Sequence, residues 1–193
     1  EIAPSCRRTG KTSLIHCVDC PASSNLKLCI NCFRGHRFFV LLSLVMEKIL
    51  TEEQLALLQS KIDEARLVAC VCHVNPDGDA LGSTLAIAAW MKTLGKECTV
   101  VVPNRFPDFL QWMPGAPDIV RYDKHADKAD AILRQADLLW VCDMNAPSRA
   151  LGMESILAEC MKRSAEGDTY MVMADHHLDP QPDFCNLQIS SPE

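Results

Sequence analysis

From residue 67 onward, short apolar runs alternate with stretches of helical spacing. The runs are 67–73, 97–103, 138–143 and 169–175, with a weaker one at 185–189. Between them, 80–94, 125–136 and 149–163 repeat apolar residues every three or four positions, as one buried helix face requires. Just upstream, Thr51 and Gln54 have the spacing of a capping box. That box predicts a helix running to about Arg66, with Leu55, Leu58 and Ile62 along one side. Strands and helices alternating at this pitch predict βαβ units, hence an α/β fold with a mainly parallel sheet flanked by helices.

Residues 1–45 have a different character. They are rich in Cys, Arg and Ser, hold no sustained period and begin at Glu1 rather than at a methionine. The change comes at Met46, where M-E-K-I-L-T-E-E-Q reads like the opening of a bacterial protein. The expected organisation is therefore a Cys-rich, poorly ordered segment over 1–45, read as upstream sequence rather than native protein, and a domain over 46–193. Cys17-x₂-Cys20 and Cys29-x₂-Cys32 could form a tetrahedral zinc site, but eight residues between the pairs is short for a zinc ribbon. Gly10-Lys11-Thr12 resembles the end of a P-loop, yet Ser5 stands at the first glycine position and no strand precedes it.

Charge and cysteine content narrow the partners. A formal net charge of −6 argues against long duplex DNA on a broad basic surface. Short nucleic acids and small phosphate substrates remain open, because bound metal ions supply positive charge locally. Of the 11 cysteines, those at 70, 72 and 142 lie inside apolar runs and read as buried thiols, which fits a reducing cytoplasm. The apolar run from Phe38 to Met46 is too short to span a bilayer, so no membrane attachment is expected.

Three of the predicted strands run directly into groups that bind metals. The first ends at His73 and continues N-P-D-G-D-A-L-G-S; a later one ends at Asp143; the next ends at Asp175, His176 and His177. Ligands of open parallel sheets bind beyond the carboxyl ends of the strands. The pattern would bring His73, Asp77, Asp79, Asp143 and the 175–177 cluster to one edge. Mixed carboxylates and imidazoles suit Mn²⁺ or a similar divalent ion, and two such ions about 3.5–4 Å apart can clamp a phosphate. Each piece also has a plainer reading. Pro76-Asp77-Gly78-Asp79 could be a turn with a helix cap, and His176 and His177 could be surface histidines. An EF-hand is excluded, since Ala80 occupies its glycine position. Three such groups falling after three buried strands outweigh the plain readings.

H-V-N-P-D-G-D-A-L-G-S, the aspartate of V-C-D-M-N-A-P-S-R and A-D-H-H together resemble the first three motifs of the DHH phosphoesterase family. The similarity runs from about Met46 to Glu193 and includes P-N-R-F-P-D-F-L-Q-W-M-P-G; it is nearest to the bacterial nanoRNases, which are oligoribonucleases and 3′-phosphoadenosine-5′-phosphate phosphatases. The resemblance implies a Rossmann-like DHH domain and two metal ions, usually Mn²⁺, with Mg²⁺ or Co²⁺ as substitutes. It implies that His73 and Asp77 hold one ion, Asp79 and His176 the other, and that Asp143 bridges them. His177 would face the substrate phosphate, and Asp175 would orient the histidines; both join Asp143 as catalytic groups. Arg149 and Ser83 are candidate substrate contacts, Ser83 having an equal claim to a helix-packing role. The family's fourth motif and its C-terminal substrate domain do not appear before Glu193, so this stretch alone is expected to be weakly active or inactive.

The function these features imply is hydrolysis of short single-stranded RNA or small nucleotide phosphates. A manganese pyrophosphatase, a linear-dinucleotide phosphodiesterase and a non-catalytic metal-binding or interaction domain are the alternatives. A homodimer is expected by resemblance. Phe109 and Trp112, in the proline-flanked loop, are expected to pack in the fold rather than stack on a base.

Overall fold

The computed structural model describes residues 49–191. The cysteine pairs and the rest of the 1–45 segment lie outside the described residues. Helix α1 (Glu52–Glu64) starts where the sequence says it should. Thr51 Oγ1 accepts the Gln54 N–H at 3.2 Å, and Gln54 Oε1 accepts the Thr51 N–H at 2.9 Å. Each bond satisfies a backbone donor that the first helical turn leaves without a partner. Leu58 and Ile62 are buried and Leu55 is half-buried, so the predicted face is the one that packs.

There follow β1 (Leu67–Val71), α2 (Gly78–Thr93), β2 (Glu97–Val102), β3 (Val120–Arg121), α3 (Tyr122–Gln135), β4 (Leu138–Cys142), α4 (Glu154–Glu166), β5 (Tyr170–Asp175) and β6 (Leu187–Ser190). The six strands form one sheet in the order β3-β2-β1-β4-β5-β6, and every pairing is parallel. The fold is therefore the expected Rossmann-like α/β sheet with helices on both faces. Parallel strands must be covered on both sides, and the strand sequences meet that need with continuous apolar runs. Val68, Cys70, Cys72, Leu138 and Trp140 pack toward α1 and α2, whereas Ala69, Val71, Leu139, Val141 and Met171 pack toward α3 and α4. Trp140 meets Trp90 of α2 edge-on, with ring centroids 6.4 Å apart.

Chain direction fixes the position of the site. From β1 the chain steps outward through β2 and β3 using segments packed in the α1/α2 layer; from β4 it steps the opposite way through β5 and β6 using segments in the α3/α4 layer. Opposite steps on opposite faces are what right-handed crossovers demand. The reversal lies between β1 and β4, where the loops leaving the two strands part and open a crevice. Asp137 braces the far end of the same strand pair, its Oδ2 accepting both the Arg66 and Leu67 N–H groups at 2.9 Å.

The helix starts that differ most from the sequence reading are those of α4 and α3. The helix expected over 149–163 is a 3₁₀ turn (Pro147–Arg149) followed by α4, the two separated by Gly152 at φ 87°. Only glycine takes that backbone conformation without strain, so it ends one turn before the next begins. α3 starts at Tyr122 rather than at 125, and His125 breaks its helical geometry at φ −139°, ψ 51°.

Candidate metal centre

Register sets the level of the site residues. Val71 is opposite Val141, so His73 and Asp143, two residues further on, lie side by side beyond β1 and β4. Cys142 is opposite Ala174, which puts Asp143 level with Asp175. Strand alternation turns Cys72 and Cys142 into the apolar core, where burial pushes both thiols far above their usual range.

His73 is buried, and its ring is fixed from one side. Nδ1 lies 2.7 Å from the Val74 carbonyl, which can only accept, so Nδ1 carries the proton. In the neutral ring Nε2 is then a bare lone pair, yet it faces Asp143 Oδ2 at 3.2 Å. Two acceptors this close require a second proton or a cation.

Asp143 is 5% exposed and adopts a left-handed backbone conformation at φ 53°, which an aspartate tolerates better than most residues. Burial pushes its carboxyl up; His73 and His177 oppose that shift, and the charges of Asp79 and Asp77 add to it. Its Oδ1 is buried without a hydrogen-bond partner, although His177 Nδ1 stands at 3.3 Å and His176 Nε2 at 3.4 Å. A desolvated carboxylate beside two others, with an unpartnered oxygen between imidazoles, is the environment a divalent cation stabilises. Ligand atoms of His73, Asp77 and Asp143 lie within 4.8 Å of one another, as do those of Asp143, His176 and His177. Asp143 belongs to both groups, and the residues therefore fit two ions sharing one carboxylate.

The remaining candidates sort by what their polar atoms already do. Asp77 caps α2, its Oδ1 accepting the N–H groups of Asp79 at 3.0 Å and Ala80 at 3.1 Å. The Ala80 bond is the main cause holding its carboxyl below the usual range. The turn reading and the ligand reading of Asp77 are thus compatible, because a cap engages one oxygen and leaves the other. Asp79 is largely exposed, with Oδ2 3.5 Å from His176 Nε2. His177 Nδ1 and Asp175 Oδ1 stand 2.7 Å apart, which puts the proton on Nδ1 and fixes the ring. Asp175 itself is buried, its Oδ2 without a partner.

Arg149 sits in the turn after β4. Its carbonyl accepts the Val74 N–H at 2.8 Å, and its charge helps lower the Asp77 carboxyl. Its guanidinium makes no hydrogen bond or ion pair among the described residues, so that charge is available at the rim. Ser83 is different. Its hydroxyl donates to the Asp79 carbonyl at 2.9 Å and the Ala80 carbonyl at 3.2 Å, so its proton is committed to its own helix. These bonds give it a role inside its own helix. Phe109 and Trp112 also correct the sequence reading, being 74% and 78% exposed rather than packed.

Sequence reasoning missed two residues beside the site. Asn75, at φ 55°, turns the chain between His73 and Asp77, and Asn104 from the loop after β2 bonds to it twice. The Asn-Pro dipeptide at 75–76 was a turn signal, but its partner 29 residues away left none.

No helix among the described residues is long and apolar enough to cross a membrane. Over 120 residues the chain is 31% identical to the bifunctional oligoribonuclease and PAP phosphatase NrnA of Thermus thermophilus; the match covers 62% of this chain and 30% of that protein. A crystal structure of an exopolyphosphatase-related protein from Bacteroides fragilis superposes with a TM-score of 0.63 at 38% identity, over 70% of this chain and 37% of that one. The chain thus spans about a third of the length of these relatives. The profile described as the DHH family, N-terminal domain, matches residues 67–192, which include every ligand of the two clusters. By that match and by the geometry of its strand ends, the chain belongs to the DHH family.

Proposed function

We propose that this domain is the metal-binding catalytic part of a phosphoesterase that hydrolyses short oligoribonucleotides or small nucleotide phosphates such as 3′-phosphoadenosine 5′-phosphate. The observation that carries the reading is two groups of ligand side chains joined at Asp143, with His73 and Asp77 on one side and His176 on the other, Asp79 Oδ2 standing 3.5 Å from His176 Nε2. His73, Asp77 and Asp143 would hold one divalent ion, and Asp143, His176 and Asp79 the other, Mn²⁺ being the expected metal and Mg²⁺ or Co²⁺ substitutes. Two such ions, when bound, would supply an acidified water and would neutralise charge developing on the phosphoryl oxygens.

The chain's own residues contribute orientation and charge. The Val74 carbonyl keeps the His73 proton on Nδ1 and leaves Nε2 toward Asp143. Asp175 does the same for His177, whose Nε2 would donate to a phosphoryl oxygen of the substrate when the ring carries its second proton as the imidazolium. Arg149 adds an unpaired cation at the rim, suited to a second phosphate or to the phosphodiester of the next nucleotide. The similarity to NrnA supports nucleotide substrates.

The Bacteroides structure, described as exopolyphosphatase-related, favours a second reading in which polyphosphate or pyrophosphate is cleaved. The test is the natural-length protein with Mn²⁺ against short single-stranded RNA, 3′-phosphoadenosine 5′-phosphate, a linear dinucleotide, pyrophosphate and polyphosphate, with Asp143→Asn as control. Release of mononucleotide or adenosine 5′-phosphate, absent in the control, supports the proposal. Hydrolysis of pyrophosphate or polyphosphate alone supports the second reading. No turnover of any substrate, with Mn²⁺ bound, favours a non-catalytic binding domain.

A further inference from the structure

The segment from His73 to Asp77 carries two members of one cluster, yet it is a loop with few bonds of its own. Pro76 has no N–H, and Asn75 is in the left-handed region at φ 55°. Its backbone is held from outside. The Val74 N–H donates to the Arg149 carbonyl in the loop after β4, at 2.8 Å. The Asn75 N–H donates to Asn104 Oδ1 in the loop after β2, at 2.7 Å. Because β2 and β4 are the two strands flanking β1, the loop is tied to a neighbour on each side.

The amide orientations follow from chemistry. The Asn104 atom next to the Asn75 N–H must be an acceptor, hence Oδ1, which leaves Nδ2 to donate. Nδ2 meets Asn75 Oδ1 at 2.7 Å, completing a two-bond clasp between one backbone and two side-chain amides. The clasp spans the residue at which the chain turns from His73 toward Asp77, and it fixes both the dihedral angles and the side chain of that residue.

We infer that Asn104 is a positioning residue for the metal site formed by His73, Asp77 and Asp143, acting through Asn75 to hold the spacing of the first two ligands. The inference rests on the reading of those three residues as metal ligands. Among the described residues the side chain of Asn104 bonds to Asn75 and to none of the three ligand side chains. Its effect should be confined to one of the two clusters, because His176 and His177 hang on a different loop. Outer partners of metal ligands typically contribute about 10- to 100-fold in affinity.

The test is Mn²⁺ binding to the full chain, followed by the electron paramagnetic resonance signal of the free ion, with thermal melts in chelator alongside. Asn104→Ala is compared with the original chain. The comparison is repeated in a His176→Ala, His177→Ala background, where the His73 cluster is the one left to titrate. Expected is a loss of about tenfold or more in affinity at the His73 cluster, present in both backgrounds. The second cluster's affinity and the metal-free melting temperature should stay unchanged. Asn75→Gly, which keeps the left-handed backbone and removes one of the two bonds, should fall between the two. Equal affinity in Asn104→Ala, or equal weakening of both clusters with a lowered melting temperature, would overturn the positioning role. Failure of the unmutated chain to bind Mn²⁺ would instead overturn the metal-ligand reading, and the inference with it.

Discussion

His73 Nε2 and Asp143 Oδ2 face each other at 3.2 Å across the switch point of the sheet, with the His73 proton drawn to the opposite side of the ring. The contact joins residues 70 positions apart and is a buried acceptor-to-acceptor approach unless positive charge enters. It ties function to stability, since whatever relieves it stabilises the folded chain.

The first prediction concerns metal-free protein. Burial raises the Asp143 carboxyl in the folded state. The folded chain therefore holds this proton over a pH range in which the unfolded chain has lost it, and stability falls as pH rises through the folded value. Asp143→Asn removes the ionisation, and asparagine accepts the left-handed backbone at φ 53°. In chelator at neutral pH the variant should melt higher than the parent, and the gap should close in acid. Added Mn²⁺ should raise the melting temperature of the parent only. Turnover by the natural-length variant should fall by about a thousandfold.

Asp77 has two duties that substitution can separate. Asp77→Ala removes the α2 cap and should cost about 1 kcal/mol in urea denaturation, whereas Asp77→Asn should cost little because its carbonyl still accepts the Asp79 and Ala80 N–H groups. Both variants should bind Mn²⁺ more weakly. The lowered Asp77 carboxyl adds stability above its unfolded pKa and loses it as pH falls through the folded value. Asp77→Asn should accordingly be less acid-sensitive than the parent.

Arg149→Gln tests the free guanidinium. The contact to Val74 uses the Arg149 backbone carbonyl and survives the change, so the fold and Mn²⁺ binding should hold. KM for a nucleotide carrying a second phosphate should rise about tenfold with kcat little changed. An unchanged KM in steady-state assays would remove Arg149 from substrate contact.

Exposure predicts a contrast among aromatic residues. Phe109→Ser and Trp112→Ser should each shift stability by less than about 0.5 kcal/mol, since both side chains stand in solvent. Phe184→Ala should cost about 3–5 kcal/mol, because that ring is 1% exposed against the α3/α4 layer. Chemical denaturation of the three variants checks both statements.

The parts of the molecule legible in the sequence are those where local pattern and tertiary demand agree. The β1, β4 and β5 runs are apolar without alternation because both their faces are covered, and the residue closing each run is polar because it faces the site at the sheet edge rather than an apolar layer. The α1 cap was readable for the same reason, since both of its partners are local. β3 left no pattern, because two residues are too few for one. Ser83 was ambiguous because a serine in the first turns of a helix can serve a ligand or its own carbonyls, and only geometry separates the two. The exposure of Phe109 and Trp112 was hidden similarly. Aromatic residues signal burial by default, and nothing in the loop sequence marks which of Phe106, Phe109, Leu110 and Trp112 turn outward.

The ligands come from loops after β1, β4 and β5, whose pairings close only after long stretches of chain have been brought together. The clusters should consequently assemble late, once the central strands are in register. Interactions absent from the folding transition state act on the unfolding rate and leave the folding rate alone. A bound divalent ion should therefore work as a kinetic latch, lengthening the lifetime of the folded chain while offering the refolding chain nothing to nucleate on.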